Sequence, residues 1–132
     1  MTNENSQTKM NLHRAFEAET GAYFRYTLYA DRARKAGHHA VGTLFDQIAR
    51  NEWAHAKIWY KQLNGEVTVE EALENAAGGE HYEWSEMYAR WADVAREEGE
   101  TRAEWLFRQV AAACVIADIR PENEASFAPS RA

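Results

Sequence analysis

Cysteine and proline are scarce in this chain, and each scarcity excludes a class of structure. A single cysteine among 132 residues excludes an internal disulfide and any Cys-x-x-Cys metal knuckle. The two prolines, Pro121 and Pro129, lie near the C-terminus, so little interrupts long helices before them. Alternation of polar and apolar residues with period two is also missing over any useful length, so we predict no β-sheet.

Long apolar runs and excess positive charge are missing as well. No apolar run approaches the length of a membrane span, and the polar segment 1–7 lacks the apolar stretch of a signal peptide. We therefore expect a cytoplasmic protein with no membrane partner. The net charge of −6 argues against nucleic acid as a partner, because binding nucleic acid needs a basic face.

Long segments with helical character are present, and glycines separate most of them. Thr68 and Glu71 form a capping box, which is the sequence signature of a helix start. Gly78 and Gly79 fall inside the same helix and predict a weak point in its continuity. We predict four helices, which run over about 8–36, 41–63, 68–99 and 101–121.

Apolar residues recur in alternating steps of three and four along each predicted helix, which is the pattern of a helical bundle. A repeat indicates how the helices pair. The hexapeptide Leu-Phe-Asp-Gln-Ile-Ala at 44–49 returns 62 positions later as Leu-Phe-Arg-Gln-Val-Ala at 106–111. The predicted fold is therefore all-α, an antiparallel four-helix bundle over 8–119 made of two duplicated hairpins. We predict a disordered N-terminus at 1–7 and an irregular tail at 120–132.

Five potential metal ligands fall on the apolar stripes of these helices, where charged groups are not expected. An ionised carboxylate in a core is costly unless it is paired or binds a cation, and several together repel one another. No Lys or Arg shares the stripes, so a bound cation is the simplest solution. The five residues are Glu19, Glu52, His55, Glu80 and Glu83.

The spacing of these ligands supports a metal site. Glu52 and His55 are three residues apart on one helix face, and Glu80 and Glu83 repeat that spacing. Oxygen-rich ligands with an imidazole suit iron or manganese better than a structural zinc. A single Glu-x-x-His pair is common on helix surfaces, but the coincidence of all five residues favours the metal site.

Several longer strings resemble the rubrerythrin family of ferritin-like di-iron proteins. The resemblance covers about residues 8–111 and implies a ferritin-like bundle that binds non-haem iron. The strings are Ala-Phe-Glu-Ala-Glu at 15–19 with Arg25-Tyr26, Asn-Glu-Trp-Ala-His-Ala-Lys at 51–57, Gly-Glu-His-Tyr-Glu-Trp-Ser-Glu-Met-Tyr at 79–88, and Ala-Arg-Glu-Glu-Gly at 95–99.

The resemblance also implies roles and an activity. Glu19 would be the ligand from the first helix, Glu52 a bridging carboxylate with His55 as its partner, and Tyr26 a hydrogen-bond donor at the catalytic site. Glu80 and Glu83 would be the ligands from the third helix. The implied activity is reduction of hydrogen peroxide in oxidative-stress defence, with a rubredoxin-like protein as external electron donor, because no rubredoxin-type segment is present. We expect a homodimer.

The fourth helix departs from the family pattern, which places a second Glu-x-x-His there. The corresponding residues are Cys114 and Ala117. We therefore expect one tightly held metal ion and a second held weakly, with Cys114 either a thiolate ligand or a small core residue. Two first hairpins from different chains could also face each other and complete a symmetric site. The abrupt change of sequence after about residue 111 also fits a frameshifted, truncated or decayed segment, so a catalytically impaired metal-binding or structural bundle remains the alternative.

Overall fold

The structure is a computed structural model that describes residues 5–117, with side chains described as far as Cys114. These residues contain no β-strand, which agrees with the all-α prediction. The predicted tail 120–132, residues 1–4 of the predicted disordered N-terminus, and the predicted end of the last helix lie outside the described residues. The helices are α1 Gln7–Lys35, α2 His39–Asn64, α3 Val69–Tyr82, a π-helical segment Glu83–Met87, α4 Tyr88–Glu97 and α5 Thr101–Ala117.

Two helices begin at side-chain caps that satisfy backbone N–H groups at the helix end. The Ser6 hydroxyl accepts a hydrogen bond from the Lys9 N–H at 3.0 Å. At the start of α3, the Thr68 hydroxyl accepts from the Glu71 N–H at 3.1 Å, and Glu71 Oε2 accepts from the Thr68 N–H at 2.9 Å. The predicted capping box is thus confirmed.

The turns α1–α2 and α4–α5 have the same hydrogen-bond pattern. Gly37 and Gly99 have φ of 86° and 77°, which only glycine adopts without strain. Each glycine N–H donates to a carbonyl three residues back. The next residue's N–H donates to a carbonyl five residues back, at 2.8 Å in both turns. These are two copies of one Schellman motif, 62 positions apart, so the duplication extends to the backbone.

Two compact units divide the chain at residues 66 and 67, and each contains one hairpin. In the first hairpin, α1 packs against α2. Small side chains allow this close approach, with Ala30 fully buried and Ala49 and Ala56 at 5% and 7% exposure. Beside them, the ring of Phe45 lies 6.0 Å from that of Tyr26 and 5.7 Å from that of Tyr29, centroid to centroid. We call Tyr26, Tyr29 and Phe45 the first aromatic triad.

The second hairpin has the same core. Ala92, at the position equivalent to Ala30, is also fully buried. The ring of Phe107 lies 6.1 Å from that of Tyr88 and 5.9 Å from that of Trp91. These three residues form the second aromatic triad, each 62 positions beyond its counterpart. Repetition of the sequence therefore repeats the packing.

The π-helical segment Glu83–Met87 was not predicted, and it lies where a ligand pair was expected. α3 runs through Gly78 and Gly79 without a break, so the helix is continuous at the position where its continuity was in question. A π turn spans five residues per hydrogen bond instead of four and so accommodates one additional residue. Before this segment the two hairpins therefore correspond at an offset of 61, which aligns Glu80 with Glu19.

Candidate metal centre

The first cluster joins one carboxylate from α1 to a carboxylate and an imidazole from α2. Glu19, Glu52 and His55 each offer a ligand atom, and these atoms lie within 4.8 Å of one another. Both carboxylates are half-buried, whereas the His55 side chain is 51% exposed. Glu19 and His55 are 36 positions apart in the sequence, and one hairpin thus brings all three predicted ligands together.

A carboxylate oxygen in this cluster lacks a hydrogen-bond partner. Glu19 Oε2 is buried and accepts no hydrogen bond while Glu52 is ionised. The nearest cationic candidate, His55 Nδ1, lies 3.5 Å away, which is too long for a strong hydrogen bond. A buried oxygen that has lost water without gaining a donor is costly. A metal ion would satisfy it.

The pKa of Glu52 is raised above its ordinary value of 4.5. The main cause is a hydrogen bond with the Glu19 carboxyl group, which favours a protonated Glu52. Burial and the negative charge of Glu19 act in the same direction, and His55 opposes them. The metal-free hairpin thus disfavours the second negative charge, which a bound cation would stabilise instead.

The second cluster contains Glu80, Glu83 and Cys114, whose ligand atoms also lie within 4.8 Å of one another. Glu80 lies in α3, and Glu83 is the first residue of the π-helical segment. The thiol of Cys114 comes from α5. Cys114 Sγ lies 3.6 Å from Glu83 Oε2, and Cys114 is only 8% exposed. The structure thus places the two predicted glutamates beside the residue that stands 62 positions after Glu52.

Burial raises the pKa of the Cys114 thiol to about 11, and hydrogen bonds and charge from Glu80 and Glu83 contribute. Burial also raises the pKa of Tyr88, again with contributions from Glu83, Cys114 and Glu80. Two neutral acids therefore face a pair of carboxylates. This electrostatic setting is negative, as expected around a cation site.

Tyr26 and Tyr88 occupy equivalent positions in the two hairpins. Tyr26 was predicted as a hydrogen-bond donor, and its ring packs in the first aromatic triad. Tyr88 was not predicted, although its pKa responds to all three residues of the second cluster. The 62-residue offset from Tyr26 was the signal in the sequence that could have identified it.

The donor atoms fit non-haem iron. Half-buried carboxylates with one imidazole are the ligands of the carboxylate-bridged sites found in helical bundles. The orphaned Glu19 oxygen and the raised pKa of Glu52 both indicate that the first cluster is incomplete without a cation. Ala117, where a second imidazole was expected, lies beyond the described side chains.

Comparison with known proteins identifies a family. A family model described as rubrerythrin matches residues 10–113. A rubrerythrin of Porphyromonas gingivalis is 35% identical over 80% of this chain, and one of Clostridium perfringens is 37% identical over 82%. The chain spans 60% and 64% of the lengths of these two relatives. Rubrerythrin-1 of Clostridium acetobutylicum is 33% identical over 92% of this chain and 68% of its own length.

Proposed function

This chain belongs to the rubrerythrin family, and on that premise we propose that it is a non-haem iron protein that reduces hydrogen peroxide in oxidative-stress defence. Membership in this family also implies the ferritin-like, all-α fold class. The observation that supports iron binding most directly is the first cluster, with its orphaned Glu19 oxygen. Iron is the proposed metal, and manganese suits the same donors.

The proposed ligands are Glu19, Glu52 and His55 in the first hairpin and Glu80 and Glu83 in the second. Bound iron would supply the electrons that peroxide reduction consumes. The carboxylates would lower the net positive charge of the loaded site, because their negative charges stabilise the cation in each oxidation state. In the metal-free protein Glu52 can hold a proton, since its pKa is raised. Metal binding would release that proton, because the ligand carboxylate must be ionised.

Tyr26 is proposed as a hydrogen-bond donor close to the reacting oxygen atoms. The aromatic triad fixes its ring, because contacts with Tyr29 and Phe45 hold it from two sides. A fixed phenol donates a hydrogen bond with little loss of side-chain entropy. Replacing Tyr26 by Phe keeps the packing and removes only the donor.

We propose a rubredoxin-like protein as the external electron donor, a homodimer as the assembly, and the cytoplasm as the location. No described helix is long and apolar enough to cross a membrane. The homodimer would cover large apolar side chains that remain exposed, such as Phe24 at 64%, Ile58 at 57% and Trp53 at 53%. Sedimentation of the iron-loaded chain measures the assembly directly.

A second function is favoured by the residues at 114 and 117. Because Cys114 and Ala117 replace a carboxylate and an imidazole, the chain would hold one metal ion well and a second weakly. In that case the protein is a metal-binding or structural bundle with impaired turnover. The same residues bind the first ion under both proposals, so turnover distinguishes them.

The test is peroxide-dependent oxidation of the protein loaded anaerobically with ferrous iron. The peroxidase proposal expects oxidation faster than that of free ferrous ion at the same concentration. A Glu19→Gln, Glu52→Gln double variant should lose the acceleration, whereas the exposed Glu17→Gln control should keep it. A wild-type rate equal to that of free iron, with iron still bound, would favour the impaired bundle.

A further inference from the structure

Cys114 is the single cysteine of the chain and stands where the repeat predicts a carboxylate. Its counterpart 62 positions earlier is Glu52, which contacts Glu19 across the first hairpin. Cys114 makes the corresponding contact in the second hairpin, where its thiol contacts Glu80, the counterpart of Glu19. The thiol also donates a hydrogen bond to Glu83 Oε2 at 3.6 Å. The position thus keeps its place beside an acidic partner while the ligand atom changes from oxygen to sulfur.

We propose that Cys114 binds a metal ion as a thiolate, together with Glu80 and Glu83, so that the second hairpin contains a mixed sulfur–oxygen site. The inference rests on the proposed function only in taking iron as the natural ion. The thiol proton leaves to solvent when the metal binds, and no oxidation is involved.

The distances fit one shared ion. In zinc sites, sulfur binds at about 2.3 Å and carboxylate oxygen at about 2.1 Å, so with a tetrahedral angle they lie about 3.6 Å apart. Cys114 Sγ and Glu83 Oε2 are 3.6 Å apart. The ligand atom of Glu80 lies within 4.8 Å of both. Small side-chain movements would bring all three donors onto a single ion.

The charges of the described residues also favour a cation. Glu80 and Glu83 are both half-buried. Among the described residues, no Lys or Arg forms an ion pair with either of them. Two neighbouring carboxylates that have lost much of their water are unfavourable without a positive partner. An inert core cysteine leaves the charge of the two carboxylates uncompensated, whereas a divalent ion offsets two of the three negative charges of the carboxylates and the thiolate.

A thiolate changes which ions the second hairpin selects. Sulfur ligands favour iron, cobalt or zinc over magnesium and calcium, which prefer oxygen. The first cluster, with oxygen and nitrogen donors, lacks that preference for soft ions. The two hairpins would therefore differ in metal selectivity as well as in affinity.

Cobalt(II) added to the full-length, metal-free chain tests the proposal, because cobalt bound to a thiolate gives a charge-transfer band in the near ultraviolet. Since the chain has a single cysteine, any such band must come from Cys114. We expect the band in the wild-type protein and its loss in Cys114→Ser. His55→Ala should keep the band. Glu83→Gln should weaken the cobalt binding that the band reports by at least about tenfold.

The outcomes separate this inference from the proposed function. Cobalt bound without the band, or a band that survives in Cys114→Ser, overturns thiolate ligation and leaves iron binding by the first cluster intact. Failure to bind either cobalt or ferrous iron overturns both. The wild-type spectrum decides the question even if a Cys114 variant fails to fold.

Discussion

The two hairpins are alike in packing and unlike in chemistry. Each has a fully buried alanine, a Schellman turn closed by glycine, and an aromatic triad at matching positions. In contrast, Glu52 and His55 of the first hairpin correspond to Cys114 and Ala117 of the second. The residues that fold a hairpin are therefore largely separate from the residues that bind metal.

This separation has a physical reason. The fully buried Ala30 and Ala92 and the aromatic triads lie nearer the turns than the ligands do. The ligands lie farther along the helices. A substitution among the ligands changes charge and donor atoms without opening a cavity, so packing can persist where metal chemistry is lost. The two hairpins should therefore respond alike to substitutions in the core and differently to substitutions of the ligands.

Removal of one ligand carboxylate should change metal binding more than any other substitution proposed here. We expect Glu52→Gln to weaken ferrous iron binding at the tighter site by more than about 100-fold, since loss of even an outer-shell partner costs 10–100-fold. Glu83→Gln should mainly affect the weaker site. Titration of iron into the anaerobic protein measures both, with the exposed Glu17→Gln and Glu86→Gln as controls. Equal losses at both sites in Glu52→Gln would contradict the inequality of the hairpins.

Truncation of the aromatic triads should affect both hairpins equally. Phe45→Ala and Phe107→Ala each remove a half-buried ring that contacts two others. We expect each to lower the free energy of unfolding by about 2 kcal/mol, below the range for fully buried rings. Denaturant unfolding of the metal-free chain measures this. A loss confined to one variant would show that the second core is not equivalent to the first.

The turn glycines should give a smaller but matched effect. Gly37→Ala and Gly99→Ala place a side chain at φ of 86° and 77°, which should cost about 1 kcal/mol in each hairpin. Gly78→Ala is the control, since nothing lies within 4 Å of an added Cβ there and φ is not positive. That helical position should gain about 0.5 kcal/mol. Thermal unfolding of all three variants tests the prediction, and a stabilised Gly99→Ala would refute it.

The smallest predicted effect is a pH dependence that Glu52 of the first hairpin causes at acidic to neutral pH. Because the pKa of Glu52 is raised in the folded state, ionising it destabilises the metal-free protein as the pH rises through that pKa. Glu52→Gln removes the charge, so it should stabilise the metal-free protein by a few degrees at pH 7. Below the ordinary pKa of 4.5 the difference should vanish, because Glu52 is then protonated as well. A difference independent of pH would exclude this explanation.

Much of the fold could be predicted from sequence because helix ends are local. Gly37, Gly99 and the capping box at Thr68 identified three helix ends correctly. The ligand clusters followed from the i, i+3 spacing of Glu52 and His55, which does not depend on tertiary contacts. The domain bounds at 1–7, 8–119 and 120–132 and the roles of the site residues stay predictions.

The π segment and Tyr88 could not be predicted in the same way. A π turn is set by the register of backbone hydrogen bonds, and no residue type in Glu83–Met87 specifies it. Gly78 and Gly79 lower the helix propensity of α3, but intrinsic propensity is a weak determinant, and α3 continues through both. Tyr88 depends on a three-dimensional approach to Glu83 and Cys114 that the sequence shows only through the repeat.

Iron content per chain tests the central claim, that the hairpins share a core but differ in metal binding. Wild-type protein, equilibrated anaerobically with ferrous iron and washed by gel filtration, should retain about one ion per chain. The Cys114→Glu, Ala117→His variant restores the missing donors and should retain about two. Two tightly held ions in the wild-type chain would contradict the account.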